Sequence, residues 1–187
     1  MSVRAGTVGT AQDRALVAYA TRLGSTREAA KAVAAGLRDA GLEVDVAPAR
    51  DVRGLTGYGL VVLGTALYVG RWHKDVRGLL KRHRGELTGR HVALFVLGPV
   101  KVPRDEDEWR SSRSQMEGQL ARYPWLQPVS CELFGGRFDP KLLPFPLDRL
   151  AGAAPASDAL DLDAVRAWAR ELAGRLQTVQ SAVASAP

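Results

Sequence analysis

The chain has 187 residues, of which 46% are hydrophobic and 25% charged, with a formal net charge of +6. That length suits one domain whose core folds without a metal or a disulfide. The single cysteine, Cys131, excludes an intrachain disulfide and fits a reducing cytoplasm. No apolar run approaches the roughly 20 residues of a membrane span, so the expected location is cytoplasmic, with peripheral contact at the inner face of the membrane left open.

Residues 1–13 show no hydrophobic periodicity and read as a flexible leader to a domain over 14–180. The run Ala15-Leu16-Val17-Ala18-Tyr19-Ala20 is continuously apolar and closes in a Gly/Ser/Thr loop, the pattern of a strand buried on both faces. Ala29, Val33, Leu37 and Ala40 recur at spacings of three and four, predicting a helix over 26–40 with Gly41 as its stop. Leu42, Val44 and Val46 then alternate with Glu43 and Asp45, as in a half-exposed edge strand, and Pro48 ends it. Two further apolar runs, Leu60–Leu63 and Val92–Leu97, repeat the fully buried pattern. Between them lies a basic helix over 74–83 with Val76, Leu79 and Leu80 facing inward.

A helix bearing Trp109, Met116 and Leu120 is expected over 105–122, and a second edge strand over 129–134. Residues 139–159 carry Pro140, Pro144, Pro146 and Pro155 and read as an irregular excursion. The last helix is expected over 161–177, with Leu162, Val165, Trp168, Ala169, Leu172 and Leu176 on one face, and 181–187 as a flexible tail. Five βα repeats imply an α/β three-layer sandwich with a parallel sheet. Buried first, third and fourth strands, flanked by half-exposed second and fifth strands, give the order 2-1-3-4-5.

That order places a ligand crevice at the carboxyl ends of strands one and three. The first loop there is Thr21-Arg22-Leu23-Gly24-Ser25-Thr26. Gly24 permits close backbone approach, three hydroxyls offer hydrogen bonds, and the following helix points its N–H groups at an anion. The loop lacks the Gly-x4-Gly-Lys-Ser/Thr pattern of a nucleoside triphosphatase, which points to a monophosphate. The same hydroxyls would equally cap the helix. The second loop, Gly64-Thr65-Ala66-Leu67-Tyr68-Val69-Gly70-Arg71-Trp72, sets small residues before aromatics and reads as a platform for a flat ring, or as core packing by Leu67 and Tyr68. Gly98-Pro99-Val100 would close the other side.

His73, His83 and His91 share no metal-ligand spacing with one another or with Cys131. His91 opens a strand, and Cys131 reads as packing. Seven cations (Arg71, Lys74, Arg77, Lys81, Arg82, Arg84, Arg90) face only Asp75 and Glu86 across residues 71–90. This reads either as a solvated helix face or as attraction to a carboxylate-bearing substrate, an acidic protein or an anionic lipid surface. Nucleic acid is not expected, since no recognition motif accompanies the charge.

The pattern Thr21-x-x-Gly24-x-Thr26 behind a buried strand, with an aromatic-bearing loop after the third strand, resembles the flavodoxin superfamily. Within it, Tyr19–Thr26, Leu63–His73, Phe134-Gly135-Gly136 and Asp163–Ala169 are similar to the flavodoxin-domain proteins related to menaquinone-dependent protoporphyrinogen IX dehydrogenase. The resemblance spans most of residues 15–175. It implies a flavodoxin-like fold that binds flavin mononucleotide (FMN) through Thr21, Arg22, Leu23, Gly24, Ser25 and Thr26. Thr65, Ala66, Leu67, Tyr68, Val69, Gly70, Gly98 and Pro99 would then surround the ring. Leu23 stands where many flavodoxins place a hydroxyl.

The activity implied is that of a flavin-dependent oxidoreductase, passing electrons from an anionic tetrapyrrole to a quinone. No catalytic residue follows from it, and a homodimer is left open. Electron-shuttling flavodoxins are generally acidic, and the charge of +6 departs from them. An NAD(P)H-linked quinone or flavin reductase, an electron carrier, and a non-enzymatic binding module are the alternative expectations.

Overall fold

The computed structural model describes residues 13–67, 70–139, 141 and 155–184, with side chains through 178. In chain order the elements are β1 (Arg14–Tyr19), α1 (Ser25–Asp39), β2 (Glu43–Pro48), β3 (Leu60–Ala66), α2 (Lys74–Arg82), α3 (Arg84–Thr88) and β4 (His91–Leu97). They continue with α4 (Glu106–Leu120), β5 (Ser130–Phe134), β6 (Arg137–Phe138), β7 (Ser157–Asp158) and α5 (Leu162–Ala184).

The continuously apolar strands have helices on both faces. Alternate residues point to opposite sides: Ala15, Val17, Val62 and Phe95 join the layer under α1 and α5, while Leu16, Ala18, Val61, Leu63 and Leu94 join the layer under α2 and α3. The sheet order is β2-β1-β3-β4-β5, with every neighbouring pair parallel. The strand order and layers expected from the burial pattern are therefore observed. Register brings Tyr19 beside Gly64, Ala66 beside Leu97, and Leu97 beside Phe134. The carboxyl ends of the four strands thus form one continuous edge.

Two close contacts fix this frame. Gly64 lies opposite Phe95, and a β-carbon there would sit 2.1 Å from Phe95 Cζ. On the α1–α5 side, a β-carbon at Gly36 would sit 2.3 Å from the Arg166 carbonyl oxygen. Glycine at position 36 lets the two helix backbones approach despite its low helix propensity. Trp168 of α5 meets Phe95 and Phe134 edge-on and donates from Nε1 to Ser130 Oγ at 3.0 Å.

The excursion expected over 139–159 is partly regular. Ser157–Asp158 form β7, which pairs antiparallel with β6; residues 140 and 142–154 lie outside the described residues. Helix α5 runs to Ala184, beyond the expected end at 177 and into the segment read as a tail. The leader lies outside the described residues except for Asp13.

Candidate functional site

The first crevice loop grows directly out of the central strand. The Ala20 N–H donates to the Gly64 carbonyl at 2.9 Å, so the loops after β1 and β3 start side by side. Gly24 then turns the chain into α1 with φ 96°, a left-handed conformation that favours glycine. Its carbonyl accepts from Arg27 and Glu28, starting the helix, and no side chain caps the first turn. Thr21 Oγ1 accepts from the Gly24 N–H at 2.8 Å, which folds the loop on itself.

Arg22 is exposed and Leu23 half-buried, whereas Ser25 and Thr26 are buried. Thr26 is fully buried, and its Oγ1 has no hydrogen-bond partner among the described residues. Such an atom costs about 1–3 kcal/mol unless something arrives to bond it. It is closed to solvent in this conformation, so a ligand would reach it only after a local rearrangement. A left-handed glycine, an uncapped helix N-terminus and an orphaned hydroxyl together match the donor set of a phosphate site.

The second loop divides by side chain. The Thr65 hydroxyl is fully buried; it donates to the Ala66 carbonyl and accepts from the His73 N–H at 3.1 Å. It braces the start of α2. Ala66 is buried and half-buried Leu67 packs on core clusters, while the Leu67 N–H donates to the Leu97 carbonyl at 2.9 Å. Trp72, read from sequence as part of a ring platform, instead lies in the core, 1% exposed and stacked on Tyr123 with ring centroids 5.7 Å apart. Tyr68 and Val69 lie outside the described residues. Gly70, at φ 70°, brings the loop beside α4, where a β-carbon would sit 3.5 Å from Gln115 Oε1.

The third loop is held on both sides. Gly98 donates to the Phe134 carbonyl at 3.0 Å, and the buried Pro99 accepts from Gly136 at 2.6 Å. Val100 and Lys101 donate their N–H groups to the Glu108 carboxylate at 3.2 and 3.0 Å. Beyond this loop opens a cavity of about 360 Å³, bordered by Val102, Trp109, Phe134, Gly135, Ala159 and Asp161. The Arg104 guanidinium lies over the Trp109 ring, 3.9 Å from its centroid. Sequence reasoning missed this cavity; its one visible signal was the pair Gly135-Gly136.

At the start of α2 three cations, Arg22, Lys74 and Arg77, act on His73. Burial pushes the His73 imidazole below its ordinary value of 6.5 against the pull of Asp75, and Arg22, Lys74 and Arg77 reinforce the depression. Its Nδ1 accepts from the Asp75 N–H at 3.2 Å, capping α2 with the neutral ring. Lys74, Arg77, Lys81, Arg82 and Arg84 are all exposed along α2 and α3. The Cys131 thiol is pushed up to about 11 by burial, then by Glu132 and Glu117, which removes it as a nucleophile at neutral pH. Among the described residues no cluster of three or more His, Cys, Asp or Glu could hold a metal, and no helix is long and apolar enough to cross a membrane.

A five-stranded parallel sheet in the order 2-1-3-4-5 with helices on both faces defines a flavodoxin-like fold. The chain belongs to the flavodoxin-domain family, whose sequence profile matches residues 16–149. The family implies FMN as cofactor, and the cradle's donor set fits its phosphate. A curated relative, the protoporphyrinogen IX dehydrogenase [quinone] of Escherichia coli K12, is 25% identical over 128 residues, covering 59% of this chain and 71% of its own.

Among solved structures, a flavodoxin from the domain Archaea superposes with a TM-score of 0.53 at 15% identity, covering 88% of this chain and 99% of that one. The flavodoxin of Streptococcus pneumoniae TIGR4 superposes with a TM-score of 0.52 at 18% identity, covering 87% and 99%. These two likenesses concern the fold.

Proposed function

We propose that the chain is an FMN-dependent oxidoreductase that takes electrons from a reduced, anionic small molecule and passes them to a quinone. The orphaned Thr26 hydroxyl in an uncapped cradle is the observation that carries the flavin reading. The relationship to a quinone-linked protoporphyrinogen IX dehydrogenase supplies the substrate class: an anionic tetrapyrrole as donor and a quinone as acceptor.

In this reading Thr21, Ser25, Thr26 and the first-turn N–H groups of α1 hold the phosphate, with Gly24 giving the close approach. The backbone of 65–67, of Gly70 and of 98–101 borders the ring, and the hydrogen bonds to Glu108 keep the last of these walls in place. Bound FMN supplies the two-electron chemistry. Thr65 acts indirectly, by fixing where α2 begins. The cations of α2 and α3 draw in carboxylates and favour an anionic membrane surface, where a quinone resides.

The test is an FMN titration by fluorescence quenching, followed by anaerobic mixing of the loaded chain with protoporphyrinogen IX, NADH or NADPH in turn. Bleaching of the flavin by the tetrapyrrole, with recovery on adding a menaquinone analogue, is the expected result. Reduction by nicotinamides alone would overturn the substrate assignment, and failure to take up FMN would overturn the whole reading.

A further inference from the structure

Arg137, the first residue of β6, donates from Nη1 to Glu28 Oε2 at 2.9 Å and from Nε to Asp158 Oδ2 at 2.8 Å. One side chain therefore ties the β6–β7 ribbon to the first turn of α1. Glu28 lies one turn above the cradle, its N–H bonded to the Gly24 carbonyl at 3.2 Å. Glu28 is the acidic side chain of the first turn of α1, at the end of the helix that carries the partial positive charge.

A carboxylate in that position stabilises a bare helix end but repels an anion bound at the same end. A phosphate monoester carries about −1.5 to −2 charges at neutral pH. Arg137 offsets part of the Glu28 charge, because the same guanidinium also bonds Asp158, which fixes it on the ribbon side. The Arg137 and Glu28 side chains are 35% and 45% exposed, so the effect is modest and weakens with salt.

We propose that Arg137 is a positioning residue for the flavin phosphate: by pairing with Glu28 it holds that carboxylate toward the ribbon and offsets part of a like charge at the anion-binding end of α1. The inference rests on the flavin reading above and deepens it. It makes the ribbon, far away in sequence, part of what sets cofactor affinity.

The experiment measures dissociation constants for FMN and for riboflavin, which lacks the phosphate, on the full chain and on Arg137→Gln, Arg137→Lys, Glu28→Gln and the Glu28→Gln/Arg137→Gln double variant. Arg137→Gln is expected to weaken FMN about fivefold at low ionic strength, a difference that fades near about 0.5 M salt, and to leave riboflavin unchanged. Arg137→Lys keeps the charge and most of the affinity. The double variant regains FMN affinity, a recovery that loss of a merely structural clamp would not permit. Equal losses for FMN and riboflavin, or no recovery in the double variant, would overturn the proposal. FMN preferred over riboflavin but indifferent to Arg137 would overturn this inference alone. No preference for FMN over riboflavin would overturn the phosphate cradle and this inference with it.

Discussion

Thr26→Val replaces the buried hydroxyl of α1's first turn with a methyl of nearly the same shape. Both residues are β-branched with similar helix propensity, so the change isolates the oxygen. Thr26 is fully buried and its Oγ1 is unpartnered among the described residues. Removing an orphaned polar atom should therefore leave the cofactor-free protein as stable as before or more stable, by up to about 1–3 kcal/mol. FMN binding should move the opposite way. A hydrogen bond from a hydroxyl to a charged phosphate contributes about 1.5–3 kcal/mol, which corresponds to about 10- to 150-fold in affinity. Urea unfolding of the cofactor-free chain and FMN titration by fluorescence quenching read the two effects separately. A variant destabilised by more than about 1 kcal/mol, with FMN affinity intact, would refute the reasoning. The hydroxyl would then serve the fold and not the ligand.

Gly64→Ala should lower the unfolding free energy by about 2–4 kcal/mol, because its β-carbon would land 2.1 Å from a fully buried Phe95 ring; a urea midpoint within error of wild type would refute the packing. His73 titrates lower when folded than its ordinary 6.5, burial being the main cause, so the unfolded chain binds the extra proton and stability falls as pH drops below 6.5. His73→Asn keeps an acceptor for the Asp75 N–H without that titration, so its stability between about pH 7.5 and 5 should fall less than wild type, and parallel curves would disprove the assignment.

Strand order was legible in sequence because burial of both faces leaves a direct mark: Ala15–Ala20, Leu60–Leu63 and Val92–Leu97 are apolar at every position, whereas Glu43 and Asp45 interrupt β2. The inward face of α2 was legible for the same reason, through Val76, Leu79 and Leu80. Loops carry no such periodicity. Nothing in the string Arg71-Trp72-His73 says that Trp72 turns into the core while the His73 backbone bonds Thr65. The cavity beside Trp109 is assembled from segments after β4 and β5 and from the start of α5, and the Arg137–Glu28 pair spans 109 residues, so neither leaves a local signal.

The Gly36 contact has a consequence for the order of events during synthesis. The proposed cradle opens α1, and the face of α1 bearing Val33 and Leu37 shares its core layer with Val165, Ala169 and Leu172 of α5. Until the ribosome has delivered residues near Arg166, that apolar face lacks the cover that α5 gives it. Chains that stop short of α5 are therefore expected to lack a stable α1 and to take up little FMN.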